Sequence, residues 1–130
     1  MSPNQSNTQE GLVSKTVVTA TLVGKEGQLA KLVDATGGAK VALCGAGEVA
    51  TFVIEEGGAV GEEAILRPLN PNRQVKITSA GTIAGAVQVA SDASGKIVAA
   101  ASGDFIVGIT EEDGVAGQFV NVRPLGCFKP

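Results

Sequence analysis

Short apolar runs separated by turn residues fill most of the chain. A β-branched run covers residues 16–23. Further runs cover 28–33, 39–44, 49–55, 62–67, 73–79, 86–90, 96–101, 105–110 and 118–123. Gly, Asp, Ser or Pro punctuates nearly every gap, as in Asp34-Ala35-Thr36-Gly37 and Ser91-Asp92-Ala93-Ser94-Gly95. Runs spaced this way predict strands of a sandwich or barrel rather than helices. Alternation agrees: Phe105, Val107 and Ile109 give one large apolar face, with Gly108 and Thr110 on the other. Residues 1–14 are polar and aperiodic and bury too little to offset their ordering entropy. The pattern predicts a flexible N-terminal arm over 1–14 and a single β domain over 15–130.

Sliding the chain by 56 residues aligns 40–69 with 96–125 without a gap, and nine of the thirty positions are identical. They include Gly47/Gly103, Gly61/Gly117, the Glu55-Glu56/Glu111-Glu112 pairs and a closing Arg-Pro-Leu at Arg67-Pro68 and Arg123-Pro124. Two copies are too few for a solenoid. They suit one closed β fold made by an internal duplication of about 56 residues, with halves near 30–69 and 86–125. The glycines would supply positive φ in turns, and the prolines would end strands. Arg67 and Arg123 would either anchor an interface or pair with a turn glutamate at a strand end.

Composition narrows the chemistry. The chain has no His, Trp or Tyr, and its four aromatic residues are Phe52, Phe105, Phe119 and Phe128. Without His there is no Ser-His-Asp triad, no Cys-His pair and no His-ligated metal. A net charge of -3 argues against a nucleic-acid partner. No apolar run is long enough for a membrane-spanning helix, and the N-terminus lacks the pattern of a secretory signal. Cys44 and Cys127, 83 residues apart, form no metal motif, and the expectation is two unlinked thiols. Gly45-Ala46-Gly47-Glu48-Val49-Ala50 fits a dinucleotide fingerprint by letter, but strand-like sequence follows it and a turn accounts for it. The clustered carboxylates at 55–56, 62–63 and 111–113 read as solvated turn charges rather than a metal or acid–base site. These residues predict no enzyme, no cofactor, no metal and no small-molecule substrate.

From residue 85 onward the text resembles a known family. The stretches Gly85-Ala86-Val87-Gln88-Val89-Ala90, Lys96-Ile97-Val98-Ala99-Ala100-Ala101, Gly103-Asp104-Phe105-Ile106-Val107-Gly108-Ile109-Thr110 and Gly117-Gln118-Phe119-Val120-Asn121-Val122-Arg123-Pro124-Leu125 look like the capsid decoration (cement) proteins of tailed bacteriophages. The likeness covers about 77–125, and through the repeat about 30–69 more weakly. It implies a small β-barrel or β-tulip, often a homotrimer, on the outer surface of the expanded head, made in the host cytoplasm. The implied partner is the major capsid protein, whose neighbouring subunits it would bridge. The alternative is another virion component, such as a head fibre base or a tail or baseplate protein. The family also implies an N-terminal tether. Its candidate residues are Pro3, Asn4, Gln5, Leu12, Val13, Lys15 and Val17, because an arm can pair with a sheet edge and order there.

Overall fold

Turn chemistry and β-branched runs cut the chain into ten strands in the computed structural model, which describes residues 12–129. The strands are β1 (Val13–Thr16), β2 (Leu29–Ala35), β3 (Gly38–Leu43), β4 (Phe52–Glu56), β5 (Glu63–Pro68), β6 (Val75–Thr78), β7 (Gln88–Ser91), β8 (Ile97–Ala99), β9 (Ile106–Thr110) and β10 (Phe119–Phe128). No helix is present among the described residues, so the fold is all-β. They form two five-stranded sheets, β1-β5-β4-β2-β3 and β6-β10-β9-β7-β8, in which every paired strand runs antiparallel.

The two sheets share one strand order when β1–β5 are matched to β6–β10. Matching contacts recur. Val53 faces Arg67 in the first sheet, and Ile109 faces Arg123 in the second. Each sheet curls until its outer strands meet through one parallel bridge, Val17 to Val41 and Ser79 to Ile97. Gly61 N–H donates to Val17 O at 2.9 Å, and Gly117 N–H donates to Ser79 O at 2.8 Å. The β3–β4 and β8–β9 loops are held alike, by Gly45 N–H on Glu48 Oε1 (2.6 Å) and Ala101 N–H on Asp104 Oδ2 (2.8 Å). An acidic side chain that accepts from a backbone amide three residues earlier stabilises such a loop, and Glu48 is also paired with Lys31 of β2.

Two cores follow. Val17, Leu22, Ala30, Val41, Phe52, Ile54, Ala64 and Leu66 fill the first sheet. Val75, Ile77, Val89, Ile97, Val107, Val120 and Val122 fill the second, joined by Leu29, Cys44, Ala50 and Val53 from the first half. Adjacent residues on a strand point to opposite faces, so β2 and β4 serve both cores: Ala30 and Ile54 inward, Leu29 and Val53 toward the second half. Backbone bonds seal the junction. Thr78 N–H donates to Gly27 O (2.7 Å) and Leu29 N–H donates to Gly95 O (2.6 Å), while the Gln28 amide reaches Ser94 O at 2.5 Å.

Three sequence expectations differ from the structure. The run over 16–23 is not one strand. Regular pairing stops at Thr16, because Val17 N–H donates to Glu62 O while Val18 N–H donates to Val41 O across the opening of the sheet. The chain then crosses to β2, with Leu22 buried on the way. The first strand also begins inside the expected arm: Val13 and Ser14 pair with Leu66 and Ile65 of β5. Finally, Pro124 does not end a strand as Pro68 does: it lies inside β10, opposite Gly108 of β9, and is accommodated there because the pairing of β10 with β6 stops at Val122.

Candidate interaction surface

Of the tether candidates, Pro3, Asn4 and Gln5 lie outside the described residues. Leu12 is exposed, and Val13 and Lys15 are half-buried in β1. Val17 is 1% exposed within the first core, so its side chain is closed to a partner. The outward portion of this set is therefore the lead into β1 and the edge of that strand. Gly47, Gly61, Gly103 and Gly117 are exposed, with φ of +73°, +86°, +90° and +78° and open space where a Cβ would stand. Turn conformation rather than close approach selects glycine there.

Arg67 and Arg123 occupy equivalent hairpins. Arg67 Nε stands 2.9 Å from Glu55 Oε1, and Arg123 Nε and Nη2 stand 3.3 Å from Glu111 Oε2. Pro68 and Pro124 follow them within β5 and β10, facing Phe52 and Gly108. Gln74 donates to Glu111 Oε1 at 2.7 Å. That amide first, then Arg123, lowers the Glu111 carboxyl from its ordinary value against a desolvation push. Other turn carboxylates are engaged by backbone amides. Glu26 accepts from Gly57 N–H, Glu62 from Ala59, Glu112 from Asn121, Asp113 from Gly85, and Asp92 from Ser94 and Lys96. Among the described residues no cluster of three or more acidic or thiol side chains is arranged to hold a metal. The Gly45–Ala50 segment is the β3–β4 loop, with no helix behind it to receive a pyrophosphate.

A cleft of about 390 Å³ opens where the halves meet, bounded by Glu26, the Glu55–Arg67 pair, Gln74, Lys76 and Phe119. The Phe119 ring lies over Gly27, whose φ of +82° and missing Cβ make room for it, yet 56% of the residue is exposed. Phe119 escaped the sequence reading. Its signal was a mismatch in the repeat, since the equivalent position in the first half is Glu63. Exposed Val23, Val60, Val115, Leu125 and Phe128 add further apolar surface. A shallow cleft rimmed by charges and one ring suits contact with a protein surface better than enclosure of a small molecule.

No family model matches the chain, and no curated protein matches it in sequence. The solved structures do contain a similar fold. The head fibre gp8.5 N base of bacteriophage phi29 superposes with a TM-score of 0.74 at 12% identity. The match covers 92% of this chain and 98% of that one. At that identity the likeness establishes the fold, and it spans both sheets.

Proposed function

We propose that this protein is a structural component of a bacteriophage virion, mounted on the head in the manner of a head fibre base. The observation that carries the proposal is the fold shared with the phi29 head fibre base over nearly the whole of both chains. The locally satisfied carboxylates and the shallow, open cleft are consistent with a structural rather than catalytic role. The fold likeness supports the fibre-base reading better than the decoration reading. The decoration reading keeps the support of the sequence pattern in the second half, and would have the protein brace neighbouring major capsid subunits. Under both readings the protein would sit on the outer surface of the head with the major capsid protein as partner. Both are compatible with a homotrimer, since closed symmetry lets one small surface be used several times.

Co-sedimentation with expanded heads lacking this protein, beside unexpanded proheads, tests the shared claim. Saturable binding to expanded heads is expected; binding to neither particle would overturn it. Thermal release of DNA from the same heads separates the readings. Bracing predicts that saturating protein raises the release temperature, whereas a fibre base predicts binding without that rise. Light scattering of the free protein reads its oligomeric state.

A further inference from the structure

We propose that Cys44 and Cys127 close an intramolecular disulfide when the protein leaves a reducing environment, fastening β10 of the second half to the β3–β4 loop of the first. These are the two cysteines of the chain, and both are free thiols in the structure. They come from opposite halves, and both lie at the core cluster where the halves join. Cys44 directly follows β3 and is fully buried, its Sγ lying 3.6 Å from Gly45 O and 3.7 Å from Glu48 O. Cys127 packs against the cluster to which Cys44 and Ala50 belong, and the nearby Ala50 amide favours its thiolate. Glu48 and Ala50 stand two residues apart in the same loop, so both sulfurs lie against that loop.

Backbone geometry adds a second, independent observation. Cys127 has φ +49°, one of two non-glycine residues with positive φ among those described, and follows Gly126 at φ +86°. The β10–β9 register shifts between Pro124 and Phe128, and this bulge carries Cys127. A left-handed cysteine at a bulge is costly and persists where its orientation is put to use. Burial pushes both thiols up, opposed at Cys44 by the Ser91 hydrogen bond and at Cys127 by the Ala50 amide. Low thiolate content makes the pair slow to exchange near neutral pH.

The exchange balances with a low-molecular-weight disulfide, such as oxidised glutathione, as oxidant. Cys127, the less buried thiol, gives up its proton. Its sulfur attacks the oxidant, breaking that S–S bond, expelling one glutathione thiolate and forming a mixed disulfide. The Cys44 thiolate then attacks the Cys127 sulfur and expels the second glutathione. Two protein thiols are oxidised, one glutathione disulfide is reduced, and the two protons end on the two expelled thiolates. The setting, release of particles from a lysed host, rests on the virion reading. The bond itself belongs to the chain, so it is tested on purified protein, apart from head binding.

The full chain is incubated with oxidised glutathione at mildly alkaline pH, freed of reagent, denatured without reductant and weighed. The expected result is a monomer lighter by two hydrogens, no thiol reactive with Ellman's reagent, one peptide pair joining Cys44 to Cys127, and a thermal midpoint raised by on the order of 10 °C. Retention of both thiols, arrest as a glutathione adduct, or a disulfide between two chains would overturn the proposal. A bond that forms without raising the midpoint would overturn the fastening role.

Discussion

Substituting Gly95→Ala tests how tightly the halves are joined. Gly95 has φ +76°, and its carbonyl accepts from Leu29 N–H at 2.6 Å. A methyl group there would stand 2.8 Å from Leu29 O, 3.1 Å from Leu43 Cδ1 and 3.2 Å from Leu29 N. The left-handed backbone alone costs an alanine about 1–2 kcal/mol. Relieving the contact moves the β7–β8 turn off β2 and forfeits a junction hydrogen bond, a further ~0.5–1.5 kcal/mol. The sum is about 1.5–3.5 kcal/mol, against total stabilities of about 5–15 kcal/mol for a domain of this kind. Gly103→Ala is the control. Its φ is +90° with nothing within 4 Å of the added Cβ, so it carries only the backbone cost. Urea unfolding followed by far-ultraviolet circular dichroism reads both variants, since without Trp or Tyr the chain offers little fluorescence. With m of about 1–3 kcal/mol/M, Gly95→Ala lowers the midpoint by on the order of 1 M. Equal shifts for the two variants would refute the reasoning, because the junction would then yield at no cost.

Leu66→Ala removes a fully buried side chain from the first core and should destabilise by about 3 kcal/mol in the same assay. Glu48 is held below its ordinary pKa, first by the Lys31 hydrogen bond and also by the Gly45 amide, against desolvation. A lowered folded pKa gives a contribution that is present above the unfolded pKa and lost as pH falls through the folded one. Glu48→Gln should therefore cost under about 1 kcal/mol at neutral pH, as expected for a half-exposed, solvent-screened pair. The gap to wild type should close in acid, as read by thermal midpoints across pH. Deleting residues 2–11 leaves β1 whole, so it should spare the circular dichroism spectrum and weaken head binding. Extending the deletion through Ser14 removes the Val13 and Ser14 pairings and should lower the thermal midpoint as well.

Much of the fold was legible because turns are written locally. The Asp-x-x-Gly and Gly-x-Gly stretches mark chain reversals through short-range hydrogen bonds and positive φ, and each of the nine later runs overlaps a strand, although β10 continues past its run to Phe128. What was hidden is long-range. Nothing at residues 16–23 tells that Val17 and Val18 bond to two different segments, because that depends on how the sheet closes. Pro124 was misread as a strand end because proline cannot donate to a ladder, and only the early stop of the β6 pairing at Val122 lets it sit inside β10. The nearness of Cys44 and Cys127 follows from a bulge in β10 and a loop in the other half, which no local pattern encodes. Phe119 was hidden for the opposite reason: it breaks the repeat, and only the packing at Gly27 gives that break a meaning.

The places of the first and last strands in their sheets give the molecule a mechanical polarity. β1 is an outer strand, laddered along its length to β5 alone. β10 lies inside its sheet, laddered to β6 on one side and β9 on the other. A pull at the N-terminal end works against the one row to β5, whereas a pull at the C-terminal end must work through the β9 row over Val122–Phe128 and then the β6 row over Phe119–Val122. Tension applied through β10 would meet two rows in succession before the strand could leave. Single-molecule stretching should find the N-terminal handle peeling at the lower force, which leaves the C-terminal side as the better one from which to hang a load.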